Sequence, residues 1–320
     1  EVSMESATFS GLDTTEGPLV FESSSDGNVL SISESTFENN VNSLKSGGAV
    51  SILGMITGSV DIQDCTFTAN KATNLKGGAL YFQTLDSTDT APVLTIESST
   101  FDSNTAKIIG GAIYVDNIPP TIDEDTTFTD NEPNSIASDP AKLRLFVDVD
   151  SSSITSEEDI VNPNFEGGVS MTLENIAGGQ DVPQNIYVAL YDLYDRLITA
   201  SEDTSSIVTF ASESRFSSSK STIIIADGIY DLSDLQFISD PGEDIEVTIT
   251  STGVNNYQNR EIVNAEDDPT SIMLEMEFRN CSSGETVLGT GACYQCPAGT
   301  YLLNLEPNSE ENCIDCDTTQ

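Results

Sequence analysis

Carboxylates, a few amines and six cysteines are the groups through which this sequence could do chemistry, since it holds 53 acidic residues against 11 basic ones and no histidine. Without histidine, Ser-His and Cys-His nucleophilic dyads are excluded. A polysaccharide-cleaving wall would need two carboxylates at a set gap, or a carboxylate-held cation beside a lysine or arginine. Asp61 and Asp64 are the in-strand acids that could serve, and their separation of three residues predicts opposite faces. The neighbouring amines Lys45, Lys71, Lys76 and Lys107 are expected between strands. Calcium has better-stocked candidates in Asp123, Glu124, Asp125 and Asp130, and in Glu266, Asp267 and Asp268, which group hard oxygen ligands without EF-hand spacing. Cys281, Cys293, Cys296, Cys313 and Cys316 follow a Cys-x11-Cys-x2-Cys…Cys-x2-Cys pattern. That spacing suits four thiolates around Zn²⁺ as well as a disulfide framework. Cys65 stands where other units carry Ala7, Ser35, Ser99 and Thr126, and is expected to pack in a wall rather than react.

The elements that must position these groups are written as a repeat. Thr36-Phe37-Glu38-Asn39-Asn40 precedes Gly47-Gly48-Ala49-Val50, and Thr66-Phe67-Thr68-Ala69-Asn70 precedes Gly77-Gly78-Ala79-Leu80. Thr100-Phe101-Asp102-Ser103-Asn104 precedes Gly110-Gly111-Ala112-Ile113. Decayed copies flank these. Thr8-Phe9 lacks the asparagine and leads to Gly17-Pro18, and Thr127-Phe128-Thr129-Asp130-Asn131 has no double glycine after it. The phenylalanines at 9, 37, 67, 101 and 128 are separated by 28, 30, 34 and 27 residues. Inside a unit the apolar residues alternate, as in Val60-x-Ile62, which marks short strands. Such units stack as a β-solenoid, because no single coil buries its own apolar face. Phe37, Phe67 and Phe101 are then expected to pile up internally, and Asn40, Asn70 and Asn104 to form an amide ladder. Gly47, Gly48, Gly77, Gly78, Gly110 and Gly111 would supply φ > 0 at a shared corner.

This motif pair resembles the repeats of the chlamydial polymorphic outer-membrane proteins, and similar repeats in large surface proteins of microbial eukaryotes, over residues 1–131. The resemblance implies a right-handed parallel β-helix used for adhesion or display at a surface. It implies no catalytic residues, because Phe37, Asn40, Gly47, Gly48 and their equivalents are scaffold positions in that family too.

Residues 132–142, with two prolines among Asn, Ser and Asp, read as a linker. Residues 143–278 change to longer alternating runs, such as Leu143-x-Leu145-x-Val147 and Ile245-x-Val247-x-Ile249, which predict an antiparallel β-sandwich. Residues 188–198 resemble the strand and turn of immunoglobulin-like bacterial surface domains, with Asp195-Arg196 where Gly-Asn is usual. The Cys…Trp…Cys pin of antibody domains is missing. Residues 279–320 are read as a small, incomplete cysteine-rich module. Its segment Cys296-Pro297-Ala298-Gly299-Thr300-Tyr301 resembles cysteine-rich repeats near ephrin-receptor-like and tumour-necrosis-receptor-like modules, which are disulfide-linked. On that resemblance the tail is disulfide-bonded rather than zinc-bound, with Cys281–Cys293 and Cys296–Cys313 as the expected pairs and Cys316 bonding beyond Gln320. Spacing alone leaves the connectivity open. A cysteine-dense segment of this kind indicates an oxidising compartment.

A net charge of −42 repels nucleic acid and anionic lipid and reads as a solubilising shell. No run approaches the ~18 apolar residues of a membrane span. A start at Glu1 without an apolar leader is compatible with a processed chain or a fragment. Asn280-Cys281-Ser282 is a weak glycosylation sequon, and the abundant Ser and Thr are compatible with O-glycans. The expected fold is therefore all-β: a parallel β-helix, then an antiparallel β-sandwich, then a disulfide-rich module. The expected function is that of an extracellular or cell-surface structural protein, one segment of a coat or self-assembling filament with an adhesive use, and not an enzyme. Its partners would be further copies or other surface and matrix components, and no cofactor beyond candidate calcium is expected. The competing reading is a receptor-like ectodomain that binds glycan or protein through coil insertions such as residues 83–91. A β-helix enzyme acting on polysaccharide ranks last.

Overall fold

The computed structural model describes residues 1–23, 25–85, 91–116, 118–148, 165–168, 170–181, 185–198, 207–214, 216–218, 222–224, 229–232, 235–254, 271–302, 308 and 312–316. Every regular element among them is a β-strand. The chain divides into two units: one of residues 1–141 with 191–198, the other of the described residues within 142–190, 207–254 and 271–316.

The first unit is a parallel β-solenoid with four walls. The first wall stacks Val2–Glu5, Asn28–Ser33, Gly58–Gln63, Val93–Glu97 and Thr121–Ile122. The second stacks Thr8–Ser10, Thr36–Glu38, Thr66–Thr68, Thr100–Asp102 and Thr127–Thr129. Short pairs build the third wall: Asp13–Thr14, Val41–Asn42, Lys71–Ala72 and Thr105–Ala106. The fourth stacks Leu19–Glu22, Val50–Met55, Leu80–Thr84, Ile113–Val115 and Ile136–Ser138. Alternation sends one face of each strand inward. Leu30, Ile32, Val60, Ile62, Leu94 and Ile96 from the first wall meet Ile52, Leu80, Phe82 and Val115 from the fourth in one core. Burying such side chains contributes roughly 1.5–3 kcal/mol each, and only stacking makes that burial available.

Two expectations need correction here. Residues 132–142 are not simply a linker, since Ile136–Ser138 pairs in parallel with Ile113–Val115 and Glu132 bridges to Thr105. Apolar Ile136 and small Ala137 suit the wall despite the flanking prolines, which sit at a corner where no ladder hydrogen bond is lost. The glycine pairs also divide their labour. Gly47, Gly77 and Gly110 have φ between +68° and +78°, whereas the second glycine does not need that conformation. A Cβ on Gly48 would lie 1.9 Å from Gly78 O, and one on Gly78 would lie 2.0 Å from Gly111 O. The second glycine is there because the next coil passes too close for a side chain.

The second unit contains a sheet ordered Phe165–Gly168, Lys142–Asp148, Asn185–Tyr191, Ile229–Asp231. Its other large sheet runs Ser170–Ile176, Ser271–Phe278, Asp244–Ser251, Ile207–Ala211, Thr222–Ile224. The expectation of purely antiparallel pairing fails at one place, because Ser170–Ile176 runs parallel to Ser271–Phe278. About a hundred residues of chain separate these strands, ample for the crossover that parallel neighbours need. Two hairpin-like pairs close the chain, Glu285–Val287 with Cys293–Gln295 and Thr300–Tyr301 with Ile314–Asp315. Disulfides Cys281–Cys293 and Cys296–Cys313 lie at this end, with Cα–Cα distances of 5.4 and 5.6 Å.

Candidate functional site

The repeat residues converge on three columns inside the solenoid. Thr-Phe-x strands of the second wall pair in register, Phe9 with Phe37, Phe37 with Phe67, Phe67 with Phe101 and Phe101 with Phe128. Successive ring centroids are 5.1, 4.8, 4.6 and 5.1 Å apart, and the planes lie within 10° of parallel. Phe37, Phe67 and Phe101 are wholly buried.

Three residues after each ring, the asparagines form a ladder. Asn70 Oδ1 accepts from Asn40 N at 3.2 Å and from Asn40 Nδ2 at 2.9 Å, while Asn70 Nδ2 donates to Phe37 O and to Asn104 Oδ1. Asn104 hands the pattern on to Asn131, whose Nδ2 donates to Phe101 O. At the opposite end Leu12 takes the asparagine position, and its N–H donates to Asn40 Oδ1. These buried amides satisfy the corner backbone, which water cannot reach.

A hydroxyl column runs beside the ladder. Ser35 Oγ donates to Ser33 O and accepts from Ala7 N, and Ser99 Oγ donates to Glu97 O and accepts from Cys65 N. Cys65 occupies the middle of this column, buried, with Sγ donating to Gln63 O at 3.2 Å; burial pushes its thiol pKa up. Sequence reading placed Cys65 in the wall but missed the column, whose signal is the recurring small hydroxyl residue before Thr-Phe.

The candidate acids do not assemble into a site. Asp61 points out of its strand and accepts from Ser59 Oγ at 3.1 Å, and Asp64 is exposed at a corner with φ +52°. Both therefore face outward, a correction to the expected opposite faces: the left-handed corner interrupts the alternation between them. Lys71, expected between strands, belongs to one. Lys76 Nζ lies 3.2 Å from Asp139 Oδ1, donates to Tyr114 Oη at 2.6 Å and sits 4.3 Å from the Tyr114 ring centre. Tyr114 Oη also donates to Asp139, and the Tyr81 ring stacks on Tyr114. Burial, then the charges of Asp139 and Asp116, pushes the Tyr81 hydroxyl up to about 12. The polar atoms of this cluster are paired with one another.

Asp123 is committed to its own loop. Its carboxylate accepts from Thr126 Oγ1, and also from Ser98 N and Thr126 N, which holds its pKa below the usual carboxylate range. Glu124, Asp125 and Asp130 do not join it as ligands, and Glu266, Asp267 and Asp268 lie outside the described residues. Among the described residues, Cys281, Glu285 and Cys293 are the single group of three ligand-type side chains, and its two sulfurs are bonded to each other. Glu285 instead takes a two-pronged contact from Arg279 at 2.8 and 3.0 Å, which, with Ser282 N and Gln180, holds its carboxyl at about 2. Cys316 is exposed and outside both disulfides. Asn280 Oδ1 accepts from Asn308 Nδ2 at 2.7 Å, beside the disulfide that constrains the middle residue of its sequon.

One buried carboxylate escaped sequence reading. Asp192 is fully buried and accepts from Tyr194 N and Arg196 N at 2.9 Å each, from Arg196 Nε at 3.2 Å, and from Ser138 N at 3.4 Å. Burial pushes its carboxyl up against the pull of these donors. Its signal was an aspartate inside an apolar run, Val188–Leu193, of the quoted turn.

Residues 98–116 match the Chlamydia polymorphic membrane protein (Chlamydia_PMP) repeat family. They hold Ser99, Phe101 and Asn104, one member of each column, and the glycine pair Gly110 and Gly111. No curated protein matches the chain. Among solved structures, WR4, an MSP family member from C. elegans, is similar at 11% identity over 33% of this chain and 91% of that one. The TM-score of that match is 0.20. The short repeat match and the solenoid together fit a polymorphic membrane protein-like β-helix.

Proposed function

We propose that this chain is one segment of an extracellular surface protein, in which the solenoid is a non-catalytic scaffold that holds its outer walls, and whatever they adhere to, at a cell surface. The observation that carries this reading is the repeat match at residues 98–116, on a coil whose motif residues are spent on neighbouring coils rather than turned to solvent. The name of that repeat family points to a membrane-associated surface location. Two disulfides in the C-terminal segment suit an oxidising compartment. In this reading residues 143–278 are an immunoglobulin-like display module, residues 279–320 a cysteine-rich module, and partners are other surface or matrix components. Filament growth by coil stacking has less support. Asn134 stands opposite Gly111 by the register Ile113↔Ile136, and a side chain at that corner obstructs a following coil.

Antibodies raised against the 320-residue chain test the proposal on intact cells of the organism that encodes it. Labelling of unpermeabilised cells, removed by brief external proteolysis, is the expected result. Labelling that requires permeabilisation would overturn it.

A further inference from the structure

Ile136–Ser138 ends the fourth wall, with Ile113–Val115 on one side and no strand on the other among the described residues. Such an edge recruits another strand unless its outward groups are occupied. Ile113 N donates to Ser135 O at 2.9 Å and Asp139 N donates to Asp116 O at 3.0 Å, so residues 135 and 139 face the preceding coil. Alternation then turns Ile136 and Ser138 outward. A side chain occupies one of the two outward backbone groups on each. The Ile136 carbonyl accepts from Asn134 Nδ2 at 2.7 Å, while Asn134 Oδ1 accepts from Gly110 N at 3.0 Å. Ser138 N donates to the buried Asp192 carboxylate at 3.4 Å, and Ser138 Oγ accepts from Leu193 N at 2.9 Å.

We propose that Asn134 and Asp192 are an edge guard that keeps the fourth wall from extending by strand pairing with a second copy of this chain. A second copy is the natural occupant because the same wall offers a matching edge at its other end. There Leu19 N and Ser23 N donate to Ala49 O and Leu53 O, which turns Val20 and Glu22 outward. Pairing of these two edges is head to tail, the geometry that does not close and grows into fibres. Each guard covers one outward group, so removing either frees that group for pairing. This inference stands independently of the surface-display reading.

The test is sedimentation velocity on Asn134→Gly, Asp192→Ala and the double variant of the 320-residue chain. In 1 M salt the Debye length is about 3 Å, so repulsion between acidic copies is screened. The guard predicts that the variants reach a doubled or larger mass as concentration rises, while the unaltered chain does not. It also predicts that adding Val20→Pro, which deletes an outward N–H at the opposite edge where proline is tolerated, restores the original mass. Folded variants that keep the mass of the unaltered chain overturn the proposal. Equal association of the unaltered chain, or association indifferent to Val20→Pro, does so as well. If circular dichroism shows that Asp192→Ala has lost its β-structure, Asn134→Gly alone decides on the same readouts.

Discussion

At the scale of single residues, the asparagine ladder sets the sharpest energetic contrast. Asn70→Ala would strand Asn40 N, Asn40 Nδ2 and Phe37 O in a dry corner, each at about 1–3 kcal/mol. A loss of about 3–5 kcal/mol in urea unfolding is expected. Asn131→Ala strands an equivalent set, but Asn131 is 9% exposed and the corner lies at the end of the ladder, so water replaces part of what is lost. Its cost should be about half. Cys65→Ser should stay within about 1 kcal/mol of the original, because a hydroxyl there can donate to Gln63 O as Ser35 and Ser99 do to their own i−2 carbonyls, offsetting the smaller volume. The identity of the ladder residues was legible in the sequence from spacing alone, since a buried side chain recurring at one coil position must meet its own kind. The role of the second glycine was not, because the close approach of Gly78 O to Gly48 is a property of two coils and cannot be read in one.

At the scale of elements, strands with inward alternation were visible and their partners only partly so. The parallel pairing of Ser170–Ile176 with Ser271–Phe278 joins segments too distant in sequence for any local pattern to declare. Ile136–Ser138 was hidden for a different reason, since the prolines around it are loop signals that a solenoid corner also accepts. The C-terminal hairpin Glu285–Val287 and Cys293–Gln295 is anchored by Arg279 and by Cys281–Cys293. Glu285 has a folded pKa of about 2 against 4.5 when free, so it binds fewer protons folded than unfolded at mildly acid pH. Its contribution, up to about 3 kcal/mol, is complete above pH 4.5 and lost as pH falls through 2. Thermal melts of Arg279→Met against the original chain should therefore differ at neutral pH and converge on acidification between those values. A difference that persists at the acid limit would assign Arg279 a packing role instead.

At the scale of the whole molecule, composition spoke most clearly through charge. A surplus of 42 negative charges costs the folded chain self-repulsion, so raising salt should raise its melting temperature until screening saturates. A melting temperature indifferent to salt would mean that the acids are already neutralised by bound cations. The division of labour also became clear at this scale: the Phe, Asn and Gly of the motifs build the interior, while the motif threonines Thr8, Thr36, Thr66, Thr100 and Thr127 are exposed or half-buried, beside acids that no motif dictates. That is why the scaffold could be read from the sequence while the use of its outer walls could not. The central claim is the in-register stacking of coils. Ring-to-ring nuclear Overhauser effects in a phenylalanine-labelled sample measure it most directly. The account predicts contacts linking Phe9 to Phe37, Phe37 to Phe67, Phe67 to Phe101 and Phe101 to Phe128, in that order. Rings that show no mutual contacts, or contacts that skip a coil, would contradict it.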